Sequence, residues 1–126
     1  MHISLSAVEM SEIVSPLGFD FIWIDTEHSA IDMRTLNQML NNIKLNSSYS
    51  LVRVPLDDYN VTKKVLEMGP DAVLFPMVST KTQAEKVIKS TFYPPYGTRG
   101  CGPLRANRYG FDDAGKYFNH TCLEMA

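Results

Sequence analysis

The segment FDFIWIDTEHS, residues 19–29, runs a cluster of large apolar side chains straight into Asp25, Glu27 and His28 with no turn residue between them. A carboxylate that holds an imidazole fixes its tautomer and raises its basicity, which is what a general base requires. The spacing of Asp25 and His28 allows a turn to bring the two groups together. Arg53 sits among Leu51, Val52 and Val54, and its guanidinium must find an anion or a carbonyl, because burying it unpaired is costly. Asp-x-Glu-His also reads as oxygen ligands with one nitrogen, a set that suits magnesium or manganese, although acid–base work is the preferred reading. A purely structural reading stands beside each residue: Asp25 caps a loop, His28 lies in a partly exposed loop, and Arg53 pairs with Glu27.

The stretch YPPYGTRGCG, residues 93–102, is the second candidate. Arg99 offers a fork for carboxylate or phosphate, and Gly97, Gly100 and Gly102 permit close backbone approach. It fits neither a phosphate-binding loop nor a dinucleotide fingerprint, and a tight surface turn stiffened by two prolines is an equal reading.

These residues need elements to hold them. FIWID (21–25) reads as a strand covered on both faces, SLVRV (50–54) as the next, stopped by Pro55, and AVLF (72–75) as a further buried strand. Between them run helical patterns. Ser6 and Glu9 suggest a capping box before a helix burying Val8, Ile13 and Leu17 and closed by Gly18. Asp32 caps a helix over Met33, Leu36, Leu40 and Ile43. Asn60 opens a short helix over Val61, Val65 and Met68, ended by Gly69. Thr80 and Gln83 form another capping box, before a helix burying Ala84, Val87 and Ile88 and stopped by Pro94 and Pro95. Met33, Met39, Met68 and Met77 read as core filler. Ile3–Leu5 and Thr121–Met125 are a possible strand remnant and a possible strand beginning. Strands alternating with helices imply parallel βαβ units. The pattern suits a small doubly wound sheet or the first half of a (β/α)₈ barrel equally well. In either, chemistry gathers at the carboxyl ends of the strands, where Asp25, Glu27, His28 and Arg53 fall.

The composition excludes several classes. The chain has 126 residues, 44% of them hydrophobic, which is enough for one globular core. Twelve basic against 14 acidic residues leave a net charge of −2, so neither nucleic acid nor an anionic membrane is a favoured partner. No apolar run is long enough to span a bilayer. MHISLSAVEMSEIV lacks the basic start and apolar middle of a signal peptide, so a cytoplasmic location is expected. Cys101 and Cys122 form neither a metal spacing nor a disulfide framework, and the sequons at Asn46, Asn60 and Asn119 read as chance matches.

Four motifs in order, GFDFIWIDTEHSAID, LVRVP, VLEMGPDAVLFPMV and YPPYGTRGCG, resemble the HpcH/HpaI aldolase family. That family includes dihydroxyheptenedioate aldolases and 2-dehydro-3-deoxyglucarate aldolases, with citrate lyase β subunits as more distant relatives. The resemblance implies a (β/α)₈ barrel and a metal-dependent aldol reaction. Its donor is pyruvate or a similar 2-oxo acid held on magnesium, manganese or cobalt, and the family's members are homo-oligomers. By motif, Asp25 and His28 resemble a proton-transfer dyad, Arg53 resembles the arginine that stabilises the enolate, and Glu27 is a supporting neighbour. Glu67 stands where aspartate, contributing near the donor, is common in the family, and Glu67, Arg99 and Gly100 are expected to bind substrate or to support the residues that do. In the family the metal is held by a glutamate ending the fifth strand and a later aspartate. CLEMA stops short of that glutamate, and Glu124 does not line up with it. The expectation is therefore one domain over residues 1–126, the N-terminal half of a (β/α)₈ barrel incomplete at both ends, with no metal ligand in this chain. The alternative is a catalytically inactive, metal-free remnant that pairs with another chain.

Overall fold

The computed structural model describes residues 1–55, 58–102 and 105–118. The strand expected over Thr121–Met125, with Cys122 and Glu124, and the sequon at Asn119 lie outside these residues. Four strands, β1 (His2–Ile3), β2 (Phe21–Asp25), β3 (Tyr49–Arg53) and β4 (Ala72–Leu74), form one sheet in sequence order. Every pair is parallel. Helices α1 (Val8–Val14), α2 (Met33–Lys44) and α3 (Tyr59–Glu67) make the crossovers, and α4 (Lys81–Thr91) follows β4.

Strand order decides between the two architectures. When each strand lies beside its predecessor, right-handed crossovers put every helix on the same face, whereas a doubly wound sheet reverses its order midway. The side chains agree. Ile3, Ile22, Ile24, Val52 and Val54 are buried in one cluster with Leu36, Met39, Leu40 and Ile43 of α2 and Val65 of α3. On the alternate positions Phe21, Tyr49 and Ala72 are exposed. A sheet clothed on one face is a section of barrel wall, here the four-stranded half that the family resemblance implies.

Local chemistry explains most element boundaries. Asp32 caps α2 by accepting from the Thr35 N–H at 2.7 Å, and Leu36, Met39, Leu40 and Ile43 form its buried stripe. Thr80 and Gln83 close the expected capping box on α4. Gly69 takes a φ of +67°, and a Cβ there would meet Ala106 Cα at 3.0 Å, so both its conformation and its close approach require glycine.

Other boundaries correct the sequence reading. The N-cap of α1 is Ala7, without a side-chain hydrogen bond. Its buried residues are Ser11 and Val14, while Ile13 and Leu17 are exposed. The chain tightens into a 3₁₀ turn over Ser15–Leu17, which swings Leu17 out of phase, and small polar groups fill the seam with α2. There Asn42 Nδ2 donates to Ser11 Oγ at 3.0 Å, and Asn46 Nδ2 donates to Ser15 Oγ at 2.8 Å. Asp58 opens α3 in place of Asn60, its Oδ1 accepting from the Asn60 and Val61 N–H groups at 3.0 Å each. β4 is not fully buried, because one of its faces is open and it is the outermost of the described strands. Ile88 is exposed on α4. Met77 is exposed too, just past β4 with a φ of +55°, so it fills no core.

Candidate functional site

Asp25 and Arg53 end adjacent strands and stand opposite each other in register, on the face of the sheet that the helices leave open. Arg53 Nη2 donates to Asp25 Oδ2 at 2.5 Å and Nε donates to Oδ1 at 3.0 Å, a two-pronged pairing. Oδ1 also accepts from the backbone N–H groups of Glu27 at 3.0 Å and His28 at 3.1 Å. These bonds turn the chain over the end of β2, where Ser29 Oγ donates to the Asp25 carbonyl. On the neighbouring strand the Arg53 carbonyl accepts from the Thr26 N–H at 3.0 Å and its hydroxyl at 2.6 Å. The short polar run Asp-Thr-Glu-His therefore builds its own turn. Asp25 is 2% exposed. The Arg53 hydrogen bond holds its carboxyl well below the usual carboxylate range; burial opposes this, and the two backbone N–H bonds assist. The same pairing raises Arg53 further above its ordinary value, against a smaller opposing effect of burial.

The expected contact between the Asp25 carboxylate and the His28 imidazole is not formed. Both Asp25 oxygens are committed to Arg53 and the backbone, and His28 bonds to Asp25 through its N–H. The imidazole is 70% exposed, with Nε2 3.5 Å from Glu27 Oε2. That oxygen also lies 3.4 Å from Arg53 Nε, yet it is buried and has no hydrogen bond. Two residues that sequence reasoning missed complete the cluster. The His2 ring lies 4.3 Å from Trp23, with Nε2 3.8 Å from Asp25 Oδ2. The Arg53 guanidinium lies over the same indole at 5.0 Å. Alternation along FIWID puts Trp23 on the Asp25 face, so Trp23 was legible. His2 depends on the register of a two-residue strand and was not.

Glu67, Arg99 and Gly100 are elsewhere. Helix α3 runs back from the carboxyl edge of the sheet, so Glu67 in its last turn lies toward the amino edge. Arg99 is buried there, its Nη2 3.1 Å from Glu67 Oε1 and its guanidinium 4.5 Å over Tyr93. Its Nε and Nη1 make no hydrogen bond. The Gly100 N–H donates to the Tyr59 hydroxyl at 3.0 Å, and that hydroxyl donates to the Thr98 carbonyl at the same distance, tying the loop to α3. A cavity of about 470 Å³ opens beside this loop, lined by Lys63, Lys64, Glu67, Cys101 and Arg105 among others. It includes none of the strand-end residues. Chain reversal through α3 explains why residues grouped by motif are separated in space.

Among the described residues no three His, Cys, Asp or Glu side chains converge on a metal position. The Asp25 oxygens are occupied, and Glu27 Oε2 with one or two ring nitrogens falls short of the oxygen-rich set that magnesium or manganese takes. The donors present do not by themselves fit such an ion. What the cluster can do is hold an oxyanion beside Arg53 and move a proton through the solvent-facing imidazole of His28. No helix among the described residues is long and apolar enough to cross a membrane.

The HpcH/HpaI aldolase/citrate lyase family model matches residues 1–125. The hydroxypyruvate/pyruvate aldolase of Roseobacter denitrificans is 33% identical over 114 residues, covering 90% of this chain and 44% of the relative. The 4-hydroxy-2-oxovalerate aldolase of Rhodococcus jostii is 37% identical over 109 residues, covering 86% of this chain and 42% of its own length. Among solved structures, an HpcH/HpaI aldolase/citrate lyase family protein from Burkholderia cenocepacia superposes with a TM-score of 0.91 at 27% identity, over 100% of this chain and 51% of that one. The chain thus spans less than half the length of the curated relatives it matches.

Proposed function

Because the chain belongs to the HpcH/HpaI aldolase/citrate lyase family, we propose that residues 1–126 carry the proton-transfer and oxyanion-binding side of a 2-oxo acid aldolase site. The observation that carries this reading is the convergence of Asp25, Arg53, Glu27 and His28 at the carboxyl edge of a parallel sheet, where such folds do chemistry. In cleavage of a 4-hydroxy-2-oxo acid, a base takes the proton of the C4 hydroxyl and the C3–C4 bond breaks. An aldehyde leaves, and the electron pair of the broken bond becomes the enolate of pyruvate, which is then protonated at C3. His28, exposed and one turn from the strand end, is the group suited to move these protons directly or through one water. Arg53, held flat by Asp25, is suited to stabilise the enolate oxygen. Asp25 acts through Arg53, fixing the guanidinium plane. The family is generally dependent on a divalent metal.

The test joins residues 1–118 to the remaining barrel of the Roseobacter denitrificans relative and measures pyruvate release from 4-hydroxy-2-oxo acids with a coupled assay. The folded chimera is expected to release pyruvate. His28→Ala should lower turnover by roughly 10² to 10⁴, and Arg53→Lys should also be strongly damaging, since an ammonium cannot reproduce the planar fork. Near-parental rates with His28→Ala would show that the imidazole has no part in the chemistry.

A further inference from the structure

We propose that Glu27, not Asp25, is the carboxylate that works on His28, and that Nδ1 is therefore the ring nitrogen that exchanges protons with the substrate. The inference rests on the aldolase reading of this site. Its starting point is an oxygen without a partner. Glu27 Oε2 is buried and accepts no hydrogen bond, a state that folded proteins keep only where something compensates for it. It stands 3.5 Å from His28 Nε2 and 3.4 Å from Arg53 Nε, between the two groups suited to the chemistry. Arg53 Nε already directs its one hydrogen to Asp25 Oδ1 at 3.0 Å. His28 Nε2 has no such commitment. Both Asp25 oxygens are engaged by Arg53 and by two backbone N–H groups, which leaves Glu27 as the carboxylate within reach of the imidazole. The turn that Asp25 Oδ1 builds holds the backbone N–H groups of both Glu27 and His28, so carboxylate and ring are presented from one local structure.

Which nitrogen faces the carboxylate decides the chemistry. A neutral imidazole carries its hydrogen on one nitrogen and accepts at the other, and the bond made on one side sets the role of the other. With Nε2 toward Glu27, the hydrogen belongs on Nε2 and the lone pair on Nδ1. In cleavage of a 4-hydroxy-2-oxo acid, Nδ1 takes the proton of the C4 hydroxyl as the C3–C4 bond breaks and the aldehyde leaves. The imidazolium so formed donates from Nε2 to Glu27 Oε2. Catalytic hydrogen bonds are often long before substrate arrives and tighten during the reaction, and a 3.5 Å approach to an oxygen with no other partner has that character. The imidazolium then returns its proton from Nδ1 to C3 of the pyruvate enolate, while the Nε2 hydrogen stays on the Glu27 side throughout. Glu27 touches no substrate atom in this scheme. It is a positioning residue, which holds the ring and stabilises its charged form.

The test uses the chimera described above. Glu27→Gln keeps the size of the side chain and removes its charge. It should lower kcat by roughly 10- to 10³-fold, part of the general acid–base contribution, and leave KM essentially unchanged. In a His28→Ala background the same substitution should cost little more, because residues that act as a unit are not additive. Near-parental kcat with Glu27→Gln overturns the proposal, as does a loss that adds in full to that of His28→Ala. Either result, beside a damaging His28→Ala, leaves the aldolase reading of the imidazole standing, whereas a harmless His28→Ala removes both. A second measurement needs no turnover. In the chimera labelled with isotopic histidine, the His28 ring is identified by the resonances that His28→Ala removes. Its nitrogen shifts in alkaline buffer should place the hydrogen on Nε2. A hydrogen on Nδ1 overturns the proposal, and it does so even where the Glu27 variant fails to fold.

Discussion

Replacing Asp25 with asparagine changes one atom where it matters most. Oδ1 can still accept from Arg53 Nε and from the Glu27 and His28 N–H groups, but an NH₂ takes the place of Oδ2. That oxygen accepts from Arg53 Nη2 at 2.5 Å, so the substituted amide would bring a donor against a donor. A hydrogen bond to a charged partner contributes about 1.5–3 kcal/mol. Stripping one member from a wholly buried pair costs about 3–5 kcal/mol. The Arg53 side chain reaches solvent at its outer side, so the lower range applies and Asp25→Asn should cost about 2–3 kcal/mol at neutral pH. In urea, monitored by circular dichroism, this lowers the midpoint by roughly 1–2 M at an ordinary m-value. The pH dependence follows from the depressed carboxyl. An unfolded aspartate titrates near pH 3.9, and the folded group titrates well below that. The stabilisation is therefore complete above about pH 5 and fades as pH falls through the unfolded value toward the folded one. Parent and variant should differ by a constant amount from neutrality to about pH 5 and converge below about pH 4. A gap that persists or widens in acid, or no cost at pH 7, would refute the assigned role of the pair.

Gly97→Ala should be among the most damaging surface-loop changes, because a Cβ there would lie 2.2 Å from the Phe92 carbonyl oxygen and 2.3 Å from that of Lys89. A loss of about 3 kcal/mol or failure to fold is expected, whereas Gly102→Ala, with nothing within 4 Å, should be tolerated; equal thermal midpoints for the two would overturn this packing. Thr80→Ala removes the hydroxyl that caps α4 and should cost about 1 kcal/mol in chemical denaturation, with Thr80→Ser restoring most of it. His28→Ala, at an exposed ring, should change stability by less than about 0.5 kcal/mol, so that any loss of turnover in the chimera reports chemistry and not unfolding.

The chain's own pattern carried the alternation of strands and helices, because apolar runs and helical spacing reflect burial that each segment needs wherever it packs. β2, β3 and β4, the caps at Asp32 and Thr80, and the glycine at position 69 were legible for that reason. So was the placing of Asp25 and Arg53 at strand ends, since strand direction follows from the parallel reading. The family motifs added the half-barrel and the family itself, which the family match and the structural superposition then established. Leu17 misled because the 3₁₀ turn over Ser15–Leu17 shifts helical phase without a strong sequence mark, and Ile13 because the seam of α1 is filled by Ser11, small enough to pack where a larger apolar residue was expected.

Three things waited for tertiary structure. Strand order chose a section of barrel wall over a doubly wound sheet, since identical βαβ units build either one until the neighbours of each strand are known. Partner choice within the cluster was the second. The strand-end reading puts Asp25, Glu27, His28 and Arg53 at one edge of the sheet, but only geometry shows Arg53 taking both Asp25 oxygens and leaving the imidazole to face Glu27. The third was distance along the fold. Helix α3 reverses the chain, so Glu67 and Arg99 meet toward the far edge of the sheet from Arg53, and no local pattern records a separation that arises from where a helix ends.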